Sequence, residues 1–227
     1  MATKKVNNKP ENQQAVGEAV SGVESWLKRN GNLLSTIVLI ILIAVCALLA
    51  LNRWVLKPAQ QEARAAAAGA ERYFQMSQYE QALNGDGNVL GLADVISQYG
   101  KKAGQGVYFD AGVCQLQLKN YAEAVEYLKK YNGKDPILKA RALSCLGDAY
   151  QGLGDNDQAL AAYKKAVKTD DSVFAAAYLL KAGIAAEAMG LKDEALGFYN
   201  DIKVKYPNAL EAMDIDKYIS RLENAQN

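Results

Sequence analysis

The 227-residue sequence contains no histidine. Histidine is the side chain whose charge changes most readily near neutral pH, and it is the usual general base of enzymes. Its absence removes the Ser-His-Asp and Cys-His catalytic arrangements and most catalytic zinc sites. The sequence also has no glycine-rich phosphate loop and no cluster of metal-ligand residues. The composition therefore predicts a protein that is not an enzyme and needs no cofactor.

Proline and strand-like patterns are scarce as well. The four prolines, at positions 10, 58, 136 and 207, leave the interiors of predicted helices almost free of proline. No segment alternates convincingly between apolar and polar residues, which is the pattern of a half-buried strand. We therefore expect an all-α protein.

Cysteine is rare, with Cys46, Cys114 and Cys145 as its three positions. An odd number, with one cysteine inside the longest apolar run, does not make a disulfide framework. Cys114 and Cys145 fall on apolar faces of predicted helices, which favours buried free thiols, because a free cysteine packs as a small hydrophobe. A Cys114–Cys145 disulfide stays open if the compartment is oxidising.

The chain has no strong excess of charge of either sign, since its formal net charge is +1. Residues 1–57 hold 7 Lys and Arg against 3 Asp and Glu, a balance of +4, whereas residues 58–227 hold 19 against 22, a balance of −3. Binding to nucleic acid needs concentrated basic charge. We therefore expect no nucleic-acid partner.

The sequence does contain one long uncharged run, the 19 residues Leu33–Leu51. As a helix this run would be about 28 Å long, close to the thickness of the hydrocarbon core of a bilayer. Trp26 precedes it and Trp54 follows it, and tryptophan favours the membrane interface. A buried core helix is seldom apolar on all sides over such a length, and a signal peptide usually begins closer to its apolar segment. We predict an uncleaved anchor that spans the membrane once.

Residues 1–32 form the predicted tail before this anchor. Residues 1–12 are polar and are expected to be disordered. Apolar residues then recur at steps of three and four, which predicts an amphipathic helix; they are Val16, Ala19, Val20, Val23, Trp26 and Leu27. The small number of apolar residues favours a helix lying on membrane lipid, and contact with another membrane protein is the alternative.

The basic residues that flank the anchor hardly decide its orientation, because five precede it and four follow it up to residue 72. A short tail followed by a long domain suits an anchor whose N-terminus is cytoplasmic. We expect the domain outside the cytoplasm, which in a bacterium is the periplasmic side of the inner membrane.

Small residues recur with a regular period in the second half of the chain. Three glycines are separated by 35 and 36 residues, and three alanines keep the same separations; they are Gly112, Gly147 and Gly183, and Ala124, Ala159 and Ala195. A period near 34 with two helices per repeat predicts a helical solenoid. The small residues would let the two helices of a repeat approach closely, and each repeat would bury its apolar side on the next.

The predicted organisation is a single transmembrane helix followed by an α-solenoid. It comprises a tail (1–32), an anchor (33–51), a stalk or first helix (52–79), repeats (80–207) and a capping helix (208–227). The best repeats are 105–139, 140–175 and 176–209. Pro136 and Pro207 are expected to close the first and third of these, and Tyr73–Tyr99 to form a degenerate earlier repeat.

The middle repeat resembles a tetratricopeptide repeat (TPR) throughout, at Leu146, Gly147, Tyr150, Gly154, Ala159, Tyr163 and Ala166, with Asp171 in the place that proline holds in the other two repeats. The repeat before it departs from that pattern, with Ala111, Gln115 and Lys119 where Leu, Tyr and Gly are usual, and the repeat after it has Ala186 where Tyr is usual. The resemblance implies a concave face, lined mainly by the first helix of each repeat, that binds peptides or proteins.

Carried over residue by residue, the resemblance predicts a partner-binding face that is apolar at its ends and polar in the middle. Its members are Phe109, Val113, Leu116, Gln117, Arg141, Ser144, Asp148, Gln151, Leu180, Ile184 and Glu187. For each of them, packing against neighbouring helices is the alternative. The Lys and Asn residues with which some TPR proteins clamp a terminal carboxylate are absent, so we do not expect an acidic C-terminal tail as ligand.

The layout as a whole is similar to the ancillary SecYEG translocon subunit family (YfgM-like), in the form found in the Bacteroidetes. The similar segments are Ser25–Asn30, Val55–Pro58, Ala82–Gly87 and Asp216–Ile219. The resemblance implies an inner-membrane protein with a periplasmic TPR domain beside SecYEG. It also implies a membrane-anchored chaperone of the PpiD type as partner, and a role in passing translocated polypeptides to periplasmic chaperones. A membrane-anchored TPR scaffold for another cell-envelope assembly is the alternative.

Overall fold

The computed structural model describes residues 11–224, and the chain divides into two compact parts at Pro58 and Ala59. Residues 1–10, which belong to the predicted disordered tail, lie outside the described range. All regular structure in residues 11–224 is helical, and no strand occurs among them. The prediction of an all-α protein is confirmed.

The first part is built on helix α1, Glu11–Leu51. Its backbone departs from helical geometry at Asn30, with φ −107° and ψ 16°. A five-residue π-helical turn, Asn52–Leu56, follows, and the Lys57 N–H donates to the carbonyl of Asn52. This wider turn lies just before Pro58, which has no N–H to donate to the carbonyl four residues earlier.

Side chains along Leu33–Leu51 are largely exposed in the structure. Within the first part of the chain this run is therefore not a buried helix. The helix is long and apolar enough to cross a membrane. The backbone of the predicted amphipathic segment is helical from residue 11. The structure does not describe the side chains of residues 11–25 and 27, so the expected apolar face stays a prediction.

The second part consists of helices joined by short loops. They are α2 (Lys57–Gln75, whose first two residues belong to the first part), α3 (Tyr79–Asn84), α4 (Leu92–Tyr99), α5 (Gln105–Gln117), α6 (Tyr121–Lys130), α7 (Pro136–Gly152), α8 (Asn156–Thr169), α9 (Ala175–Ala188), α10 (Lys192–Lys205) and α11 (Ile215–Asn224). Helices α5 and α6, α7 and α8, and α9 and α10 pack as three hairpins, and α11 packs against α10.

In each of these hairpins a glycine on the first helix faces a large side chain on the second. A Cβ atom on Gly147 would overlap the ring of Tyr163, and one on Gly183 would overlap the ring of Tyr199. In the α5–α6 hairpin the same position, Gly112, faces Leu128 instead. The alanines that share the period, Ala124, Ala159 and Ala195, are completely buried.

The turn inside each hairpin repeats as well. Lys119, Gly154 and Gly190 all have positive φ, and the next residue donates its N–H to a carbonyl five residues back, at 2.9 Å. This hydrogen-bonding pattern closes a helix C-terminus, and glycine adopts it without steric cost. Lys119 takes the same conformation without being glycine.

The same turn occurs a fourth time, between α2 and α3. Ser77 has φ 59°, and the Gln78 N–H donates to the carbonyl of Tyr73 at 2.9 Å. Ala70 and Ala82 stand in register with the glycines and alanines of the later hairpins, and both are completely buried. These observations identify α2 and α3 as an additional hairpin.

This hairpin corrects the expected bounds of the earlier repeat. The earlier repeat does not run from Tyr73 to Tyr99, because its first helix is α2 and its second is α3. For the segment 52–79 a stalk and a first helix were the two alternatives, and the burial of Ala63, Ala67 and Ala70 of α2 within the second part of the chain favours the first helix. Helix α4 is an additional short helix between the hairpins α2–α3 and α5–α6.

Pro136 also has a different place from the one expected. It is the first residue of α7, and the Asp135 side chain caps that helix by accepting the Leu138 N–H at 2.8 Å. Proline suits this position because the first helical N–H has no partner within the helix. Pro136 therefore begins the α7–α8 hairpin and does not close the preceding one.

We predict that Gly183→Ala destabilises the second part of the chain by about 1–3 kcal/mol, because the added methyl group displaces the buried Tyr199 ring. The control is Gly197→Ala in α10, where a Cβ would meet nothing within 4 Å. That change should stabilise the protein by roughly 1 kcal/mol through helix propensity. Thermal unfolding of the full-length protein in detergent, followed by circular dichroism, measures both. Equal midpoints for the two variants would contradict the close-contact interpretation.

Candidate partner-binding face

The predicted face draws on the first helix of three hairpins, α5, α7 and α9, and its members differ in exposure. Phe109 and Ser144 are buried; Val113, Leu116, Asp148, Leu180 and Glu187 are partly buried; Gln117, Arg141, Gln151 and Ile184 are exposed. The buried and partly buried members contribute to packing between helices, so the exposed ones offer most of the surface for a ligand.

A groove of about 520 Å³ lies between α7 and α9. Its lining is Ile137, Arg141, Ser144 and Cys145 from α7 together with Phe174, Ala177, Tyr178 and Lys181 from the start and flank of α9. Arg141 and Ser144 are members of the predicted face. The other six were missed, because the carry-over selected the same helix positions in every repeat. The groove instead combines the centre of α7 with the side of α9 that faces it.

Asp148 belongs to the predicted face but is occupied by intramolecular partners. Lys181 Nζ donates to its two carboxylate oxygens at 2.8 and 2.6 Å. The Tyr163 hydroxyl lies 2.8 Å from Asp148 Oδ1 and 3.0 Å from Gln151 Oε1. Burial, with the nearby Asp148 charge, raises the pKa of Tyr163, so the hydroxyl stays protonated as a donor. These contacts connect α7, α8 and α9.

Glu187 lies 36 residues after Gln151 and, like it, is hydrogen-bonded to the hydroxyl of a buried tyrosine. The Tyr199 hydroxyl donates to Glu187 Oε2 at 3.1 Å, and Arg221 of α11 donates to the same oxygen at 2.7 Å. Burial and the hydrogen bond to Glu187 raise the pKa of Tyr199. Glu187 therefore ties the capping helix to the last hairpin.

The thiols of the second part are free and unreactive in this setting. Cys114 is buried, Cys145 is partly buried, and neither forms a disulfide in the structure. Burial raises the pKa of Cys114 to about 12 and that of Cys145 to about 11. Both are protonated at neutral pH, and a protonated thiol is a weak nucleophile and metal ligand. Residues 11–224 contain no group of three His, Cys, Asp or Glu residues placed to hold a metal ion.

Asp110 is a carboxylate with an unusual environment next to the predicted face. It lies on α5, and burial raises its pKa to about 6, with the charge of Glu71 on α2 acting in the same direction. Arg141 on α7 opposes that shift. The charges of Glu71 on α2 and Arg141 on α7 therefore act on the Asp110 carboxylate in opposite directions.

Comparison with known families identifies the repeats. Residues 106–133 and residues 146–209 match models described as tetratricopeptide repeat. No curated protein sequence matches this chain. The two matched segments cover most of the three hairpins α5–α6, α7–α8 and α9–α10. The prediction of a TPR α-solenoid with a single apolar N-terminal helix is confirmed, and such repeats are scaffolds for protein–protein interaction.

We predict that Asp110→Asn stabilises the protein at pH 8 and has little effect at pH 4. Because the folded-state pKa of about 6 lies above the unfolded value of 3.8, the folded state binds the proton more tightly between these pH values. Stability then falls as the pH rises from about 4 to about 6 and stays reduced above that range. The expected gain above pH 7 is about 1–3 kcal/mol, the upper limit being reduced by solvent screening.

Thermal unfolding of Asp110→Asn and the unaltered protein from pH 4 to pH 8 measures this difference. Glu126→Gln, at an exposed position of α6, is the matched control and should show a difference that does not change with pH. A constant difference for Asp110→Asn would contradict the environment described for this carboxylate.

Proposed function

We propose that this protein is a membrane-anchored adaptor of the Sec translocon whose partner-binding part is formed by the tetratricopeptide repeats of residues 106–133 and 146–209. In this role Leu33–Leu51 anchors the chain and the TPR solenoid binds protein partners. The observation that carries the proposal is the combination of an exposed apolar helix of membrane length with a repeat array that has an open groove.

The proposed location is the inner membrane, with the N-terminus in the cytoplasm and the solenoid in the periplasm. The exposed side chains of Leu33–Leu51 need an apolar surrounding. Trp26 and Trp54 are both exposed, and as helix their separation of 28 positions corresponds to about 42 Å, the thickness of a bilayer with its headgroup regions. Both tryptophans would then lie at interfaces, as their amphipathic rings prefer.

The proposed partners are SecYEG, a membrane-anchored chaperone of the PpiD type and polypeptides emerging from the channel. Support for them comes from the similarity in layout to the translocon subunit family: a short tail, one span and a TPR domain. Membrane lipid surrounds the span, and the slightly acidic second part gives no reason to expect nucleic acid.

We predict that the two ends of the chain lie on opposite sides of the membrane. Val204 is about three-quarters exposed, so Val204→Cys should react with a membrane-impermeant maleimide in spheroplasts. Lys5→Cys in the tail should react only after the membrane is permeabilised. The unaltered protein gives the background from its own thiols.

The reverse labelling pattern would contradict the proposed orientation. An N-terminal epitope tag tests processing in the same cells. If the tag stays with the solenoid in the membrane fraction, the apolar helix is an anchor; if the tag is lost, the helix is a cleaved signal sequence.

We also predict that affinity purification of the full-length protein from detergent-solubilised membranes enriches SecYEG subunits and a PpiD-type chaperone, as measured by mass spectrometry. A version beginning at Ala59 should lose the channel if the span or the tail makes that contact. A version whose Leu33–Leu51 is replaced by an unrelated single span separates specific contact from mere membrane attachment. Recovery of another envelope complex, with channel subunits at background, would replace the translocon proposal by a scaffold function in that assembly.

A further inference from the structure

The groove between α7 and α9 has a largely apolar surface. Among its lining residues, Cys145 is partly buried and Tyr178 is buried. Ile137 near the start of α7 and Phe174 just before α9 have roughly half of their surface exposed. Apolar surface of this kind gains free energy when a ligand's apolar side chain covers it. An aromatic or large aliphatic side chain has a suitable size and chemistry for this part of the groove.

The two basic side chains that line the groove, Lys181 and Arg141, differ in whether they form an ion pair within the protein. Lys181 is neutralised by Asp148, through contacts of 2.8 and 2.6 Å. Arg141 makes no ion pair with any residue in the range 11–224 that the structure describes. Its guanidinium carbon lies 5.8 Å from the centre of the Phe109 ring, which provides a cation–π contact and limits its freedom. The charge of Asp110 interacts with that of Arg141, but the two described side chains form no salt bridge. Arg141 can therefore still pair with a ligand's carboxylate.

From this geometry we propose that the α7–α9 groove binds an internal segment of a partner polypeptide in which a bulky apolar side chain stands next to an acidic one. The apolar side chain packs between Ile137 and Phe174, and the carboxylate pairs with Arg141. This proposal rests on the adaptor function, for which it names the chemistry of the bound segment.

The dimensions of the groove favour an internal segment over a chain end. On α7 the lining runs from Ile137 to Cys145, on both sides of Arg141. Eight positions of helix correspond to about 12 Å, which accommodates three or four residues of extended chain. A terminal carboxylate would end the ligand at Arg141 and leave one side of the groove empty.

The test is a double-mutant cycle on purified full-length protein in detergent micelles. The probes are two 12-residue Gly/Ser peptides, acetylated and amidated, that carry Phe-Glu or Phe-Gln at the centre. Saturation-transfer difference NMR suits the weak binding expected of so short a motif, and empty micelles give the background. The unaltered protein should bind the Phe-Glu peptide at least fivefold more tightly than the Phe-Gln peptide. Arg141→Gln should remove that preference.

Two further variants separate the apolar contact from the charge contact. Phe174→Ser, at an exposed position, should weaken binding of both peptides by similar factors. Lys139→Gln, an exposed position of α7 that does not line the groove, is the control and should change neither. Circular dichroism confirms that each variant is folded.

A Phe-Glu preference that survives Arg141→Gln would overturn the proposed pairing, and so would equal binding of both peptides to the unaltered protein. If a free C-terminal carboxylate on the Phe-Gln peptide restored tight binding through Arg141, the ligand would be a chain end instead. Because only purified protein and peptides are used, the result does not depend on whether SecYEG copurifies. Failure of this proposal and failure of the translocon proposal are therefore distinguishable.

Discussion

The close contact between a glycine on one helix and a tyrosine ring on the next is the constraint on which the later hairpins depend. Gly147 and Gly183 leave room for the rings of Tyr163 and Tyr199, which are completely buried. Each ring crosses its hairpin and brings its hydroxyl to a carboxylate on the first helix, Asp148 or Glu187. A single small residue therefore determines both the packing and the position of a polar group near the binding face.

Contacts within the protein occupy Asp148 and Glu187, which leaves fewer charged groups for a ligand. Asp148 and Glu187 were expected on the partner-binding face, yet both are used to hold neighbouring helices together, through Lys181 and Arg221. Both pairs remain partly open to solvent, so each adds little to stability, but each occupies a carboxylate that a ligand would otherwise meet. The groove consequently presents apolar surface with Arg141 as its unpaired cation among the described residues. In the proposed complex, the charge that remains for a ligand's carboxylate follows from which charges the repeat contacts have already neutralised.

The sequence revealed those parts of the fold that depend on residues with no good substitute. Glycine and alanine at close helix contacts recur with a period that can be read directly. The α2–α3 hairpin was not predicted, because Ala70 stands where later hairpins have the glycine of the close helix contact and Ser77 stands where two of them have the glycine of the turn. In addition, α4 lengthens the spacing between corresponding turn residues to 42, from Ser77 to Lys119. The groove residues of α9 escaped because a repeat pattern gives positions within one helix. It does not say which flank of that helix meets its neighbour.

The size of the groove bears on why an anchor would accompany it. A site for three or four residues buries little surface, and the loss of translational and rotational freedom opposes binding, so the affinity of an isolated segment is low. In the proposed function, adaptor and partner share one membrane, which raises the effective concentration of each for the other, as linkage does for joined binding modules. Weak, short-lived binding then becomes sufficient, and it suits the handling of many different chains. In this view the apolar helix supplies the concentration, and the groove supplies the modest selectivity for acidic and apolar side chains.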